Sequence, residues 1–276
     1  MVMGMPLLSV EHVGFSYDRQ QILQDISFNV EKGEVFCLLG PNGCGKTTLI
    51  DCILGVQRFK SGRIRVSGES IVGIPPGTLA RSISYVPQCH ERTFPYTVLE
   101  IVMMGRAAYT GLFSGPKLAD RRIAELALES IGIAHLKTRP YTRLSGGEGQ
   151  LVMIARAIAQ SAPLVIMDEP TAHLDYKNEL MVLENIAGLV RERGISVIMA
   201  THFPNHAFFF ENNAISTTVA MLKDTRFIEI GAPETVLRAK EIKTLYGIQA
   251  DIITYWNGSD RPGKQVIPIR TLRQGA

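Results

Sequence analysis

The sequence has no run of about 18 consecutive apolar residues, so no segment of it predicts a membrane-spanning helix. The first apolar stretch, within Met1–Val10, lacks preceding basic residues, and we therefore expect no secretory signal peptide. Positive charge is not clustered either, since no basic run is longer than Arg121-Arg122. The net charge of +3 consequently predicts a solvated surface rather than a nucleic-acid site.

Cysteine is scarce and unpatterned. The four cysteines have neither CxxC spacing nor a Cys/His pattern typical of metal ligands: they are Cys37, Cys44, Cys52 and Cys89. This predicts reduced thiols in a cytosolic protein, where the sequon Asn257-Gly258-Ser259 would carry no meaning. A length of 276 residues, 46% hydrophobic and 20% charged, is typical of one globular domain, or of one domain with a subdomain and a tail.

Short strands and helices alternate along most of the chain. The continuous apolar run Val35–Leu39 predicts a strand buried on both faces, and a helix over Thr48–Leu54 follows it and ends at Gly55. Further strands are predicted at Leu7–Val10, Ile26–Val30, Gly62–Val66, Ile83–Val86, Leu164–Met167 and Val197–Ala200, with an amphipathic helix over Leu180–Arg193. This alternation favours a parallel sheet covered on both faces.

Residues 93–143 have helical periodicity instead. Two helices are predicted there, separated by Gly111–Pro116, with apolar faces formed by Val98, Ile101 and Val102 and by Ile123, Leu126, Ala127 and Ile131. A third helix begins near Glu148 and places Leu151, Ile154, Ala155 and Ile158 on one side. The last 25 or so residues contain Gly258, Pro262, Gly263 and Pro268 and predict an irregular tail.

Residues 40–47 read GPNGCGKT and satisfy the phosphate-loop pattern GxxxxGK[ST] between a buried strand and a helix. The glycines allow backbone N–H groups to form an anion cradle, and the helix adds its positive N-terminal end. Lys46 is expected to reach the outer phosphates and the Thr47 hydroxyl to suit Mg²⁺. The expected ATP-binding residues here are Asn42, Gly43, Cys44, Gly45, Lys46, Thr47 and Thr48. A structural strand-to-helix turn is the disfavoured alternative, and the loop alone leaves kinases, GTPases and motor ATPases open.

A second strand end carries two adjacent acids, Asp168 and Glu169. Ligands bind at the carboxyl edge of a parallel sheet, and two carboxylates there are costly without a cation or a proton-transfer task. We expect Asp168 to hold Mg²⁺ through water and Glu169 to polarise the attacking water. An acidic strand end is more often a helix cap or a surface feature. In a chain that also contains a phosphate loop, however, a functional role is the favoured interpretation.

The string Leu144-Ser145-Gly146-Gly147-Glu148 predicts a second anion-binding helix end. The alternative is a capping turn in which Ser145 is the cap and Glu148 reaches back three positions. A cap explains Ser145 and Glu148 but not two consecutive glycines, which weaken a helix start.

With this string the chain resembles the ATP-binding-cassette (ABC) ATPases, whose signature is LSGGQ or LSGGE, over about residues 7–250. The resemblance implies an α/β P-loop NTPase fold with a RecA-like parallel core, an antiparallel β subdomain and an inserted α-helical subdomain. It implies one cassette at 1–250, with the core and β subdomain at 1–92 and 151–250, the helical signature subdomain at 93–150, and a tail at 251–276.

Four further residues take roles from the resemblance. Tyr17 matches the aromatic residue that stacks on adenine, and Gln88 matches the glutamine that contacts Mg²⁺ and water and couples to the membrane partner. Asp175 matches the aspartate at the dimer interface, and His202 matches the switch histidine that contacts the γ-phosphate. On its own, Tyr17 would be interpreted as a buried strand tyrosine and His202 as an ordinary core or surface histidine.

The resemblance also implies partners and cofactors. Two copies would face head to tail, with ATP and Mg²⁺ between the phosphate loop of one and residues 144–148 of the other. The catalytic residues would be Glu169, His202 and Gln88, and Thr47, Gln88 and Asp168 would serve the metal. Each copy would bind an integral-membrane permease at the cytoplasmic face of the cell membrane, and indirectly an extracytoplasmic solute-binding protein, with no nucleic acid.

One departure from the pattern is Gly149, where the family usually has Arg, Lys or Gln. A glycine there costs a helix about 1 kcal/mol relative to alanine, so we expect it to loosen the signature helix without disabling it.

The segments Phe94–Arg106 and Pro170–Asp175 resemble cassettes of iron-chelate, haem and cobalamin importers, a group that includes some molybdate importers. The region between Gln88 and Ser145 is expected to dock a permease helix. An exporter cassette with a separate permease remains open as an alternative. A soluble cassette acting on ribosomes or DNA is disfavoured, because the chain has a single cassette and no sustained heptads.

Overall fold

A six-stranded sheet in the order β10-β9-β3-β8-β7-β6 forms the centre of the computed structural model, which describes residues 5–88, 94–110, 115–256 and 262–272. Its strands are β3 (Val35–Leu39), β6 (Ile83–Val86), β7 (Leu164–Asp168), β8 (Ser196–Thr201), β9 (Thr217–Lys223) and β10 (Arg226–Gly231). The pairs among β9, β3, β8, β7 and β6 are parallel, and only β10 runs antiparallel to its neighbour. The predicted parallel sheet is therefore confirmed.

A separate antiparallel sheet has the order β2-β1-β4-β5. Its strands are β1 (Leu8–Tyr17), β2 (Gln20–Val30), β4 (Ser61–Val66) and β5 (Glu69–Ser70). The turn between β1 and β2 lies at residues 18–19.

Nine α-helices are present in the described residues. They are α1 (Lys46–Ile53), α2 (Pro76–Leu79), α3 (Val98–Met103), α4 (Leu118–Ser130), α5 (Gly146–Ala159), α6 (Tyr176–Arg193), α7 (Pro204–Asn212), α8 (Pro233–Val236) and α9 (Ala239–Tyr246). Over this part of the chain no helix combines the length and apolarity that a membrane crossing requires. Helix α5 continues through residue 150, the predicted end of the helical subdomain.

Alternation along the central strands divides the interior into two cores, because successive side chains of a strand point to opposite faces. On β3, Val35, Cys37 and Leu39 pack into the core that contains α3 to α7. Phe36 and Leu38 of the same strand pack into the core shared with α1 and the antiparallel sheet. Both faces of the sheet are thus covered, which explains why β3 is apolar at every position.

The parallel core, the antiparallel sheet and the helical region are those of the predicted α/β fold class, and several individual elements were also predicted correctly. The strands at 35–39 and 83–86 have the predicted bounds, and α6 extends the predicted helix by four residues toward its N-terminus. The gap between α3 and α4 includes residues 111–114, which lie outside the described part of the chain.

Two sequence-based expectations were wrong. Leu126 does not belong to the buried face of α4, because its side chain is 44% exposed while Ala124 and Leu128 are buried. Residue 126 is one position out of register with the stripe that packs on α3 and α5.

Where the structure describes residues 251–272, they do not form the irregular tail that was predicted. Strands β11 (Ile248–Tyr255) and β12 (Gly263–Thr271) form an antiparallel hairpin. Asn205 and Asn212 of α7 each pair with the backbone of β12, at Val266 and Lys264 respectively. Gly263 begins β12 and Pro268 lies within it, and a strand at the edge of a sheet tolerates both residue types. The abundance of glycine and proline was therefore a misleading sign of irregular structure.

Candidate functional site

The loop between β3 and α1 is shaped by two glycines. Gly45 has φ +107°, in the left-handed region that favours glycine, and precedes the first residue of α1. An ideal Cβ on Gly40 would lie 2.6 Å from the Leu222 carbonyl oxygen, so only glycine fits against the end of β9. The predicted glycine positions are therefore required by close approach and by backbone conformation.

Lys46 is 6% exposed and points back into its own loop. Its Nζ donates to the carbonyl oxygens of Gly40 (2.8 Å) and Pro41 (3.2 Å). A buried ammonium needs such partners, and the same geometry places the charge where a phosphate oxygen could join it.

The two acids at the end of β7 lie directly opposite this loop. The Thr47 hydroxyl donates to Asp168 Oδ2 across 2.8 Å. Burial raises the pKa of Asp168 above its ordinary value, and the Thr47 hydrogen bond opposes that rise. Thr47 and Asp168 are hard oxygen ligands of the kind Mg²⁺ prefers, and Mg²⁺ ordinarily keeps several waters beside one or two carboxylates. The residues present therefore fit Mg²⁺.

Glu169 lies at the centre of the site and its side chain is 12% exposed. Its Oε2 accepts a hydrogen bond from Gln88 Nε2 at 2.9 Å. Its Oε1 lies 3.7 Å from Lys46 Nζ and 3.6 Å from His202 Nδ1, beyond hydrogen-bond distance in both cases. The tertiary structure thus assembles Lys46, Gln88, Glu169 and His202, which are distant in sequence.

The backbone of Glu169 is unusual, with φ +47°, while its N–H donates to the Ala200 carbonyl oxygen at 2.9 Å. A non-glycine residue in this region costs of the order of 1–3 kcal/mol and persists where the surroundings fix it. Such positions cluster at functional sites, which agrees with the role expected for Glu169.

A cavity of about 370 Å³ opens above the loop. It is lined by Ile22, Asn42, Gly43, Gly45, Lys46, Thr47, Thr48, Gln88 and Glu169. Cys44 lines an adjoining recess with Pro41 and Lys223, and burial raises the pKa of its thiol. Sequence reasoning missed Ile22 and Lys223, because neither belongs to a motif and only the sheet arrangement places them there.

Asp168 and His202 lie behind the cavity lining, against Thr47 and Glu169 respectively, whereas Tyr17 and Asp175 lie away from it. Tyr17 ends β1 with its ring 47% exposed and edge-to-face with Phe15, so it is not the buried strand tyrosine of the alternative interpretation. Asp175 caps α6, where its Oδ1 accepts from the Asn178 N–H at 2.8 Å.

Residues 144–148 do not line the cavity, and they begin α5 with a capping box. Ser145 Oγ accepts from the Glu148 N–H at 3.3 Å, and the Ser145 N–H donates to Glu148 Oε2 at 2.8 Å. The capping hydrogen bonds lower the pKa of Glu148. The capping turn that was the alternative interpretation is therefore present in the molecule. It does not account for the two glycines, whose surroundings have to be considered separately.

The two glycines differ in their surroundings. An ideal Cβ on Gly147 would lie 2.4 Å from Asn178 Cγ, so close packing on α6 accounts for that residue. An ideal Cβ on Gly146 would meet nothing within 4 Å. Gly146 thus has no packing reason within the described chain, and it leaves the exposed N-terminus of α5 open to approach.

Gly149 is buried in α5. A Gly149→Arg variant would therefore report on packing as well as on helix propensity, and Gly149→Ala is the cleaner probe of the expected loosening.

Comparison with known proteins identifies a family. Residues 23–172 match the family described as "ABC transporter". The chain is 37% identical to the molybdate import ATP-binding protein MolC of Haemophilus influenzae over 87% of each chain. It is 34% identical to the iron(3+)-hydroxamate import ATP-binding protein FhuC of Bacillus subtilis over 90% of each. A solved metal-chelate type ABC transporter in an inward-facing conformation has a chain that is 33% identical, with a TM-score of 0.83, covering 96% of this chain and 98% of that one.

Proposed function

The chain belongs to the ABC transporter family as an ATP-binding subunit and ATPase, and on that premise we propose that it powers the import of a metal chelate or oxyanion. The similarity to the molybdate and iron(3+)-hydroxamate import subunits, along nearly the whole length of each, supports this class of solute. The similarity to a metal-chelate type transporter chain supports it independently. The cassette does not choose among these solutes.

In the proposed mechanism the loop at 40–48 binds the phosphates, with Lys46 and the N-terminus of α1 opposing their charge. Mg²⁺, held through Thr47, Gln88 and Asp168, would neutralise charge on the phosphate oxygens. Glu169 accepts the proton of the attacking water, and Gln88 and His202 flank the carboxylate on either side. Tyr17 offers an exposed ring for adenine.

The site is completed by a second copy of the chain. The observation that supports this part of the proposal is Gly146. A Cβ there would contact nothing within 4 Å, so packing does not require a glycine, and its effect is to leave the N-terminus of α5 open. A triphosphate has enough charge to be shared by two positive helix ends, one from α1 of one copy and one from α5 of the other. ATP would then hold the two copies together, and hydrolysis would release them.

The remaining parts of the proposal follow from the family. The chain acts at the cytoplasmic face of the membrane, bound to permease subunits that receive solute from an extracytoplasmic binding protein. The region between Gln88 and Ser145 carries the permease-docking surface. We propose no nucleic-acid partner.

Two variants test the ATPase site. Lys46→Ala should weaken nucleotide binding, measured by titration with a fluorescent ATP analogue, because its ammonium is the buried cation of the loop. Lys240→Ala, at an exposed position of α9, is the control and should bind normally. Glu169→Gln should bind ATP but lose hydrolysis by about 10²-fold or more, as expected for removal of a general base. Normal hydrolysis by both variants would refute the site.

Co-purification with the permease tests the transport role. ATPase activity of the reconstituted complex should rise when a binding protein presents an iron chelate, haem, cobalamin or molybdate. Stimulation by none of these, together with export of a solute, would favour the exporter alternative.

A further inference from the structure

A histidine that belongs to none of the motifs is buried at the start of α7. His206 is 1% exposed and is engaged at both ring nitrogens. Its Nε2 lies 2.8 Å from Glu179 Oε1 on α6, and its Nδ1 lies 2.8 Å from Thr201 Oγ1 at the end of β8. An imidazole held at both nitrogens is fixed in orientation.

The backbone fixes the direction of one hydrogen bond at Thr201. The Phe203 N–H donates to Thr201 Oγ1 at 3.1 Å, and an amide cannot reverse that role. The Thr201 hydroxyl keeps its own proton and can donate it to His206 Nδ1. His206 Nε2–H can then donate to the Glu179 carboxylate, whose pKa this hydrogen bond lowers. In this arrangement both ring nitrogens of His206, the Glu179 carboxylate and the Thr201 hydroxyl each have a hydrogen-bond partner.

One end of this hydrogen-bonded chain fixes the turn that carries His202. Thr201 and Phe203 flank His202 in sequence, and the ring centroids of His202 and Phe203 are 3.9 Å apart. His202 Nδ1 in turn lies 3.6 Å from Glu169 Oε1.

The other end lies one turn inside α6. The Glu179 N–H donates to the carbonyl oxygen of Asp175, the cap of that helix, at 2.9 Å. The chain Glu179–His206–Thr201 therefore joins the segment expected at the dimer interface to the segment that faces Glu169.

We propose that the Glu179–His206–Thr201 hydrogen-bonded chain is a positioning element that holds His202 in register with Glu169 for ATP hydrolysis. The proposal rests on the proposed function, because it takes His202 as a participant in hydrolysis. None of the three side chains lines the phosphate cavity, so all three act through His202 and are positioning residues. A displacement of about 1 Å in a preorganised site can cost about 10²-fold in rate, which is the scale of effect such a tether can control.

The first test uses Thr201 in the full-length chain. Thr201→Val removes the hydroxyl at nearly constant shape, whereas Thr201→Ser keeps it. Thr201→Val should lower kcat about 10-fold or more and change KM for ATP by less than about 2-fold, because positioning affects the chemical step and not phosphate binding. Thr201→Ser should retain most of the kcat. Equal losses in both variants, or a loss shared between kcat and KM, would indicate structural damage and overturn the proposal.

The second test uses Glu179, which is partly exposed. A substitution there is less disruptive to packing than one at the buried Thr201. Glu179→Gln still accepts the Nε2 proton and should keep most of the kcat, whereas Glu179→Ala should lower it at constant KM. An unchanged kcat in Glu179→Ala would overturn the proposal. The control is His12→Asn, which removes an exposed histidine–carboxylate pair with Asp25 (2.7 Å) in the antiparallel sheet and should leave kcat unchanged.

Two further variants separate failure of this inference from failure of the proposed function. If Lys46→Ala and Glu169→Gln behave as expected while Thr201→Val and Glu179→Ala keep a normal kcat, only the positioning role is refuted. If Lys46→Ala and Glu169→Gln hydrolyse ATP normally, the proposed site is refuted and the positioning role with it.

Discussion

The Thr47 hydroxyl donates to Asp168 Oδ2 at 2.8 Å, and this hydrogen bond connects the start of α1 to the end of β7, 121 positions away in sequence. It joins the phosphate loop to the acidic end of β7. From the sequence, these two segments could be associated only because each matches a motif. Both oxygens face the cation that we propose accompanies ATP, so the pair is a direct place to test that cation's role.

Replacement of Thr47 by valine should lower ATP hydrolysis by at least about 10-fold and raise the Mg²⁺ concentration needed for half-maximal rate. The hydroxyl is lost as a ligand, and the Asp168 carboxylate loses its donor in the buried site. Steady-state hydrolysis across a Mg²⁺ titration measures both quantities. Thr47→Ser keeps the hydroxyl and serves as the control, and an unchanged Mg²⁺ dependence in Thr47→Val would contradict the assignment.

Replacement of Glu169 by glutamine should trap a dimer of the chain in the presence of ATP and Mg²⁺. Glutamine cannot accept the proton of the attacking water, so the nucleotide that holds two copies together would persist. Light scattering during size-exclusion chromatography would detect the doubled mass. Glu192→Gln, at an exposed position of α6, should remain monomeric under the same conditions. A monomeric Glu169→Gln protein that binds ATP would contradict the shared site.

Replacing Gly146 and Gly147 by alanine, one at a time, should distinguish a packing role from a role in ligand binding. Gly147→Ala should lower the melting temperature, since its Cβ would lie 2.4 Å from Asn178 Cγ and overpacking costs about 1–3 kcal/mol. Gly146→Ala has open space and should leave the melting temperature unchanged or slightly higher, while ATP hydrolysis falls because the exposed end of α5 is obstructed. Thermal melting and phosphate release measure the two effects. A fully active Gly146→Ala protein would argue against a partner's phosphate at this helix end.

Glu34 provides a test of pH dependence away from the site. Burial raises the pKa of this carboxyl, although hydrogen bonds from Thr218 and from the Glu31 N–H oppose the rise. The folded state therefore binds the proton more tightly than the unfolded state, and the contribution of Glu34 to stability is greatest at low pH. It falls as the pH rises from the unfolded pKa, about 4.3, through the higher folded value.

The Glu34→Gln variant should accordingly have a higher melting temperature than the unchanged protein at pH 7–8. The difference should shrink toward pH 4, where Glu34 itself is protonated. Thermal melts at several pH values measure it, with Glu192→Gln as the exposed control. A gain that is independent of pH would show that the charge of Glu34 is not the cause.

Local patterns determined much of what could be predicted. The apolar run at 35–39 and the GxxxxGK[ST] string predicted a strand, a loop and a helix, because each depends on short-range backbone preferences. Residue 126 and the segment after 250 were predicted wrongly. Helix register depends on the partner helices, and the hairpin of β11 and β12 is fixed by Asn205 and Asn212 of α7.

The sequence by itself determined the chemistry available to this protein: a phosphate loop, two adjacent acids and a glycine-rich helix start, each encoded within a few consecutive residues. Only the tertiary structure decided which groups meet. Parallel strands bring Thr47 to Asp168, and Gln88 and His202 to either side of Glu169, because their carboxyl ends share one edge of the sheet. It also revealed the Glu179–His206–Thr201 hydrogen-bonded chain, which joins residues distant in sequence and is therefore not encoded by any local pattern.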